Sequence, residues 1–269
     1  MNYNKKKFIS ILITNYNKEK FLKKSIKSCV KQNFKKKEII IFDDCSNDKS
    51  LKILKKFSNI KIIKNKKKKY LSGPLNQIYG LSKIFEKSKA EIIFLLDSDD
   101  EFKINKLSKV FSMFENDKNL KFIQDTPFLT SSKKVAKLKS KISLFTIWPS
   151  FFPTSCIAIR KNFLKRFFKL AMKDKFPNLE IDARLSIFAF LMNEFKITNK
   201  SLTYYNYDQN GITSRYNKFN ILWWKKRNEA FEYTKFLTKR LKLNFYRGPD
   251  YYITKIINLF FSIFYKSYH

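Results

Sequence analysis

Four short apolar runs, Phe8 to Ile13, Glu38 to Phe42, Ile60 to Ile63 and Ile92 to Leu96, are separated by stretches whose apolar residues recur at helical spacing. Runs this short, rich in Ile and Phe and bounded by polar residues, read as strands buried on both faces. Alternation with helices predicts a mostly parallel sheet with crossover helices, an α/β class. Lys18 to Gln32 carries Phe21, Leu22, Ile26 and Cys29 or Val30 as one helical face. Ser46 and Asp48 are expected to cap a helix running through Phe57, and Leu75 to Ser88 makes the next helix. Three of the strands stop on polar residues, at Thr14 to Asn17, Asp43 to Ser46 and Asp97 to Asp100. Open parallel sheets bind ligands just past the carboxyl ends of their strands, so these three clusters are expected to share one edge.

The third cluster carries the most chemistry. Acid is scarce in a chain with 22 Asp and Glu against 57 Lys and Arg, yet Asp97, Asp99, Asp100 and Glu101 follow one strand directly. Carboxylates two positions apart at a strand end can present oxygens to a hard divalent cation, which can in turn hold a diphosphate. The alternative is a solvated acidic loop in which Asp100 serves as the N-cap of the following helix. The one histidine is His269, which leaves histidine-based acid and base chemistry and histidine-bound zinc improbable. Cys29, Cys45 and Cys156 are odd in number and lack metal spacing, which fits a reducing cytoplasm.

Several linked segments resemble the family-2 glycosyltransferases of the GT-A fold, from about Phe8 to about Thr213. ISILITNYNKEKFLKKSIKSCVKQNF is similar to the family's first strand, Thr-Tyr-Asn turn and helix. IIIFDDCSNDKS resembles its second strand with an Asp-Asp-x-Ser-x-Asp turn, and FLLDSDDEFKINKL its metal motif. TSCIAIRKNFL resembles the acceptor-side strand leading into a helix. The resemblance implies an inverting enzyme that moves a sugar from a nucleotide-diphosphate donor to a hydroxyl of a glycan or lipid-linked acceptor, in bacterial surface polysaccharide or lipopolysaccharide synthesis. It implies that Thr14 and Asp44 contact the base, with Tyr16 and Asn17 shaping that pocket and Asn76 retained from a Gly-x-x-Arg-Asn stretch in which Leu75 replaces the Arg. Asp99 becomes the direct ligand of Mn2+ or Mg2+, and Asp97 lies near the ribose and the metal shell.

With no internal histidine, a carboxylate must take the acceptor's proton. PNLEIDARLSIFAFL resembles the family's catalytic segment, with Asp182 in the position of the base and Ile181 where a preceding acid commonly stands. Glu180 is the alternative, and an ion pair with Arg184 is the structural reading of these acids. LTYYNYDQNGIT resembles a Tyr-Arg-x-His segment, placing Asn206 at the Arg position and Asp208, a further candidate metal ligand, at the His position. Lys66 to Lys69 can supply the missing positive charge to the diphosphate or form a solvated loop. Ser143 to Ser155, aromatic and rich in turn residues, resembles by position the family's acceptor-side loop, which implies that Trp148, Thr154 and Ser155 fall on the acceptor side, with Trp148 able to stack on a sugar.

The formal charge of +35 would suit nucleic acid, but the lysines are dispersed, as AT-rich codon usage produces, and charge alone is weak evidence of such a partner. A nucleic-acid module would leave the acidic cluster unexplained, and a sugar-phosphate nucleotidyltransferase should open on a glycine-rich loop that Ile11 to Asn17 lacks. A uridine donor is favoured because a carboxylate at Asp44 accepts from a uracil imide. No signal peptide or spanning helix is expected. Tyr251 to Tyr265 reads as an amphipathic or buried helix, serving an anionic inner membrane face, the catalytic domain or a second subunit of a homo-oligomer. The expected division is 1–216, comprising a nucleotide-sugar half to about 125 and an acceptor half from 126, followed by a helical extension 217–269. Trp223 and Trp224 in that extension are read as core.

Overall fold

The computed structural model describes residues 8–137, 147–171, 175–209, 211 and 213–264. His269 and the stretch 143–146 of the aromatic segment lie outside them. The four apolar runs form strands β1 (Ile9–Asn15), β2 (Lys37–Asp43), β3 (Lys61–Lys64) and β4 (Ile92–Asp97), separated by helices α1 (Glu19–Val30), α2 (Ser50–Leu54) and α3 (Gly73–Lys87). There follow β5 (Glu101–Phe102), α4 (Lys106–Asn116), β6 (Phe122–Leu129), β7 (Lys134–Val135), β8 (Ile157–Arg160), α5 (Lys161–Ala171), α6 (Ile181–Leu191) and β9 (Phe195–Tyr205). Helices α7 (Ile221–Leu241) and α8 (Pro249–Phe264) complete the described chain.

The strands lie in one sheet in the order β3-β2-β1-β4-β8-β6-β9-β5, with β7 beside β6. β3, β2, β1 and β4 are mutually parallel. β8 runs antiparallel between β4 and β6, while β6 and β9 are parallel. β1 sits centrally among the first four strands, in register so that Asn15 faces Asp43 and Thr14 faces Asp97. That register is what brings the three polar strand ends to one edge. The mixed second half follows from β8, whose short Ile-Ala-Ile core pairs with both neighbours in the reverse direction.

Two apolar layers cover the sheet. One gathers Leu12, Ile40, Phe42 and Leu95 with α3, α5 and α6, and takes in Ala230, Tyr233 and Leu237 of α7. The other gathers Ile11, Ile41 and Phe94 with α1 and α4. Alternate residues of each strand enter opposite layers, as the pleat requires. Gly80 lets α3 lie close on β2, since a Cβ there would stand 2.3 Å from the Phe42 ring.

Capping departs from expectation around α2. Asp48 stands one residue before the N-cap, Lys49, and its Oδ1 accepts from the first helical amide, that of Ser50, at 2.9 Å. The helix nevertheless ends at Leu54 instead of reaching Phe57. Ser46 does not cap it; its hydroxyl accepts from the Asn17 amide and the Asn15 side chain, tying the ends of β1 and β2 together. α3 starts on Ser72, whose hydroxyl accepts from the Leu75 amide. Trp223 and Trp224, expected in the core, are instead only half-buried: they pack edge to face with each other and tilted against the exposed Phe219.

Candidate active site

The polar ends of β1, β2 and β4 open on a cleft of about 380 Å³ that also receives the start of α6 and the chain after β9. Thr14, Tyr16, Asp44, Asn76, Asp97, Asp99, Thr154, Glu180, Asp182 and Asp208, all singled out in the sequence, line it. Chain segments nearly two hundred residues apart thus meet at the ligand-binding edge of a parallel sheet.

One wall is built by β1, β2 and α3. Asp43 accepts from the Asn15 amide group at 2.7 Å and from the Ser46 amide, which makes the β2 turn rigid. Asp44 projects beside it, its Oδ1 taking the Asn65 side chain at 2.7 Å. Tyr16 lies under the Lys68 ammonium, 3.4 Å from the ring centre, so the lysine run 66–69 places one cation in the cleft. Asn17 stands outside the lining. It occupies the left-handed region at φ 50° and accepts from the Asn47 amide, which is turn chemistry. Asn76 turns both ends of its amide to the backbone of Tyr70, so it holds the lysine loop in place.

The acidic motif divides into three roles. Asp97 accepts from Gln77 at 2.7 Å and bonds Thr154, and its carboxyl is pushed up to about 8 by burial, with Asp99 and Asp182 adding repulsion. Asp99 faces the cleft and meets Lys18, Nζ to Oδ2 2.5 Å, and the same ammonium meets Asp208 at 2.5 Å. Asp100 is not an N-cap: it is buried, accepts from the Ser155 hydroxyl at 2.6 Å and from the Asn206 amide at 2.8 Å, and α4 begins only at Lys106. Burial, then Asp99 and Asp97, hold its carboxyl well above the usual range.

Ser155 is therefore not an acceptor-side residue. Its hydroxyl is buried, receives the Asp97 amide and donates to Asp100, fixing the acid loop from below. Beneath it lies a fully buried pair, Lys106 and Asp125, 2.5 Å apart. Lys106 also donates to the Ser155 carbonyl and Thr203, and Asp125 accepts from Thr203 and the Leu202 amide. Trp148 is likewise displaced from its expected place: it packs edge to face on Phe231 at 4.6 Å and joins the core, because α7 presents an aromatic socket there. Phe151 to Thr154 supply the cleft wall instead.

Helix α6 brings in the last acid. Asp182 sits in its first turn, Oδ1 accepting from the Ala183 amide at 2.7 Å. Burial, then the charge of Glu180, pushes its carboxyl up to about 7. Glu180 is held differently, by the Lys226 ammonium of α7 at 2.5 Å from Oε1. Arg184 donates to the carbonyls of Leu179 and Phe176, bracing the turn that starts the helix.

Lys18, Arg215, Gln77 and Lys226 are among the cleft and near-cleft residues that sequence reasoning missed. Lys18 is one lysine among very many, and its place directly after the Asn17 turn is the one available signal. Burial opposes its charge, but Asp99 and Asp208 outweigh that and hold the ammonium pKa above the ordinary lysine value.

The same geometry tests the donor set for a divalent ion. Asp99 and Asp208 aim one oxygen each at a single point that already accommodates a cation, so the converging pair is Asp99 with Asp208, while Asp97 is engaged with Gln77 and Thr154. Among the described residues no group of three or more His, Cys, Asp or Glu closes around one point. Two carboxylates suit Mg2+ or Mn2+ where a diphosphate and water complete the shell.

The sequence profile of the family described as Glycosyl transferase family 2 matches residues 10–172. No curated protein matches the chain significantly by sequence. Among solved structures, S. aureus TarS 1-349 in complex with UDP-GlcNAc is 17% identical, with a TM-score of 0.62 over 84% of this chain and 66% of that one. A longer S. aureus TarS chain superposes with a TM-score of 0.53 over 88% of this chain, which spans 46% of it. Mannosyltransferase PcManGT from Pyrobaculum calidifontis, in complex with GDP-Man and Mn2+, is 11% identical, with a TM-score of 0.59 over 93% of this chain and 70% of that one.

Proposed function

Because the chain belongs to glycosyl transferase family 2, we propose that its cleft moves a sugar from a nucleotide-diphosphate donor to an acceptor hydroxyl with inversion, Asp182 being the base. The observation that carries this is the convergence of a base-binding wall, a cation point between Asp99 and Asp208, and a raised, half-buried carboxyl at Asp182 in one cleft. An acid whose pKa lies near neutrality is well matched to removing a proton from a hydroxyl during attack.

Thr14, Tyr16 and Asp44 receive the base. With Oδ1 of Asp44 held by Asn65, Oδ2 is the acceptor assigned to the uracil imide, which favours uridine over guanosine donors. Lys68 and Arg215, both lining the cleft, stand where they can offset diphosphate charge. Asp99 and Asp208 would hold Mn2+ or Mg2+, which supplies charge neutralisation for the diphosphate when bound. The acceptor oxygen gives its proton to Asp182 as it bonds to the anomeric carbon. The bond from that carbon to the diphosphate oxygen breaks, and the electron pair leaves with the nucleoside diphosphate. Phe151 to Thr154 form the acceptor side, and a glycan or lipid-linked acceptor of bacterial surface polysaccharide is the substrate class assigned to it.

Transfer or hydrolysis of UDP-, dTDP- and GDP-sugars, with Mn2+ and with chelator, tests the reading. Turnover of uridine donors that vanishes in chelator and in Asp99→Asn supports it, as does weaker uridine diphosphate binding by Asp44→Ala. Equal turnover in chelator removes the metal role, and a strong preference for guanosine removes the base assignment.

A further inference from the structure

Helix α8 is amphipathic in the wrong sense for a helix packed on a protein. The residues it fully buries against α7 are polar: Asp250 meets Arg227, Asn258 donates to the Trp224 carbonyl at 3.1 Å and Thr254 lies between them, with Tyr251 packed edge-on against Phe231 beside them. The side it turns outward is apolar. Ile253, Ile256, Leu259, Phe260, Ile263 and Phe264 are each 46% to 67% exposed. At about 100° per residue they occupy one continuous face of roughly 140°. Scattered exposed apolar residues are ordinary, but an uninterrupted face of this kind marks an interaction surface.

Charge decides what covers it. The chain carries +35. The acids of the stretch 217–264 are Glu229, Glu232 and Asp250, and each is engaged, by Asn178, Lys255 and Arg227. Exposed Lys239, Arg240, Lys242 and Arg247 cluster at the end of α7 and in the turn that leads into α8. A second copy meeting this face would bring two such basic turns together, whereas an anionic surface is attracted by them. The helix is also too short to span, at about 24 Å for its sixteen residues against about 30 Å of hydrocarbon. No helix among the described residues is long and apolar enough to cross a membrane.

We propose that α8 is an interfacial anchor that lies flat in the surface of an anionic lipid bilayer, its apolar face among the acyl chains and the basic 239–247 turn against the headgroups. Rigid attachment through Arg227 to Asp250 and Lys255 to Glu232 then fixes the sheet and its cleft relative to that surface. The anchor does not depend on the chemistry assigned to the cleft.

The test is co-sedimentation of the full chain with phosphatidylcholine vesicles and with equimolar phosphatidylcholine and phosphatidylglycerol vesicles. Binding is expected to the anionic vesicles and to weaken with salt. The Ile256→Glu/Phe260→Glu double variant, both sites being exposed, should keep its melting temperature and lose at least tenfold in binding. Lys239→Ala and Arg247→Ala should each cost about fivefold. Wild-type binding that equals that of the double variant would overturn the anchor, as would failure to bind anionic vesicles. A wild-type dimer by light scattering that the double variant converts to monomer would assign the face to a second copy instead.

Discussion

Replacing Asp182 by Asn isolates the chemical step, because the amide keeps the shape of the side chain and its Oδ1 can still accept from the Ala183 amide. Loss of a positioned general base corresponds to about 100-fold or more in turnover, or about 2.7 kcal/mol of transition-state stabilisation. Donor affinity should barely change, since Thr14, Tyr16 and Asp44, the residues proposed to receive the nucleobase, line the cleft from other elements. The fold should hold or gain slightly, because the substitution removes a charge that repels Asp97. In the wild type, kcat/KM reports the free enzyme, whose Asp182 carboxyl is pushed up to about 7. Only the ionised form accepts a proton, so kcat/KM should fall about tenfold per pH unit below 7 and level off above it. Steady-state rates at several pH values, with donor binding measured by calorimetry, check all of this. Glu180→Gln is the companion: with its carboxylate held by Lys226, its loss should alter turnover far less. Near-normal turnover in Asp182→Asn, or a pH profile flat through 7, refutes the reasoning, and abolished turnover in Glu180→Gln alone moves the base to Glu180.

Lys18→Met removes the ammonium that sits where Asp99 and Asp208 converge, so donor-free Mn2+ binding should tighten about tenfold or more by calorimetry. Unchanged affinity would mean that the ion binds elsewhere. Lys106→Met leaves Asp125 buried without its cation and should cost about 3–5 kcal/mol in denaturant unfolding. A cost below about 1 kcal/mol would show that the pair is not a structural element. Asp97 keeps its proton to about pH 8 when folded, whereas in the unfolded chain it ionises near 4, so the folded state binds more protons between these values. Its contribution to the stability of the metal-free chain should therefore fall as pH rises from about 4 to 8, a trend that thermal melts of wild type and Asp97→Asn resolve by their differing slopes.

Legibility in the sequence followed range. Strand existence and the polar strand ends are local properties, written in apolar runs that stop at Thr14, Asp43 and Asp97. Once the alternation implied a parallel sheet, those ends had to gather on one edge, and they do. Asp182 could be placed in the cleft because the resemblance of its segment supplied what spacing could not. Helix α2 was overextended because Lys55 to Phe57 carry no breaker, and what stops the helix is the turn into β3.

What only the tertiary structure decided was the division of labour among side chains of the same type. Asp97, Asp99 and Asp100 stand within four positions, yet one holds Gln77, one meets Lys18, whose ammonium also meets Asp208, and one is sealed against Ser155 and Asn206. Trp148 is drawn into a socket offered by Phe231, eighty residues further along, and α8 turns its apolar face outward because Asp250, Thr254 and Asn258 find α7. A sequence pattern shows which residues share a face or end a strand, since these depend on backbone periods of two or 3.6 residues. It does not show which distant partner an acid or an aromatic will meet, because that choice is set by burial and charge pairing once the elements have packed.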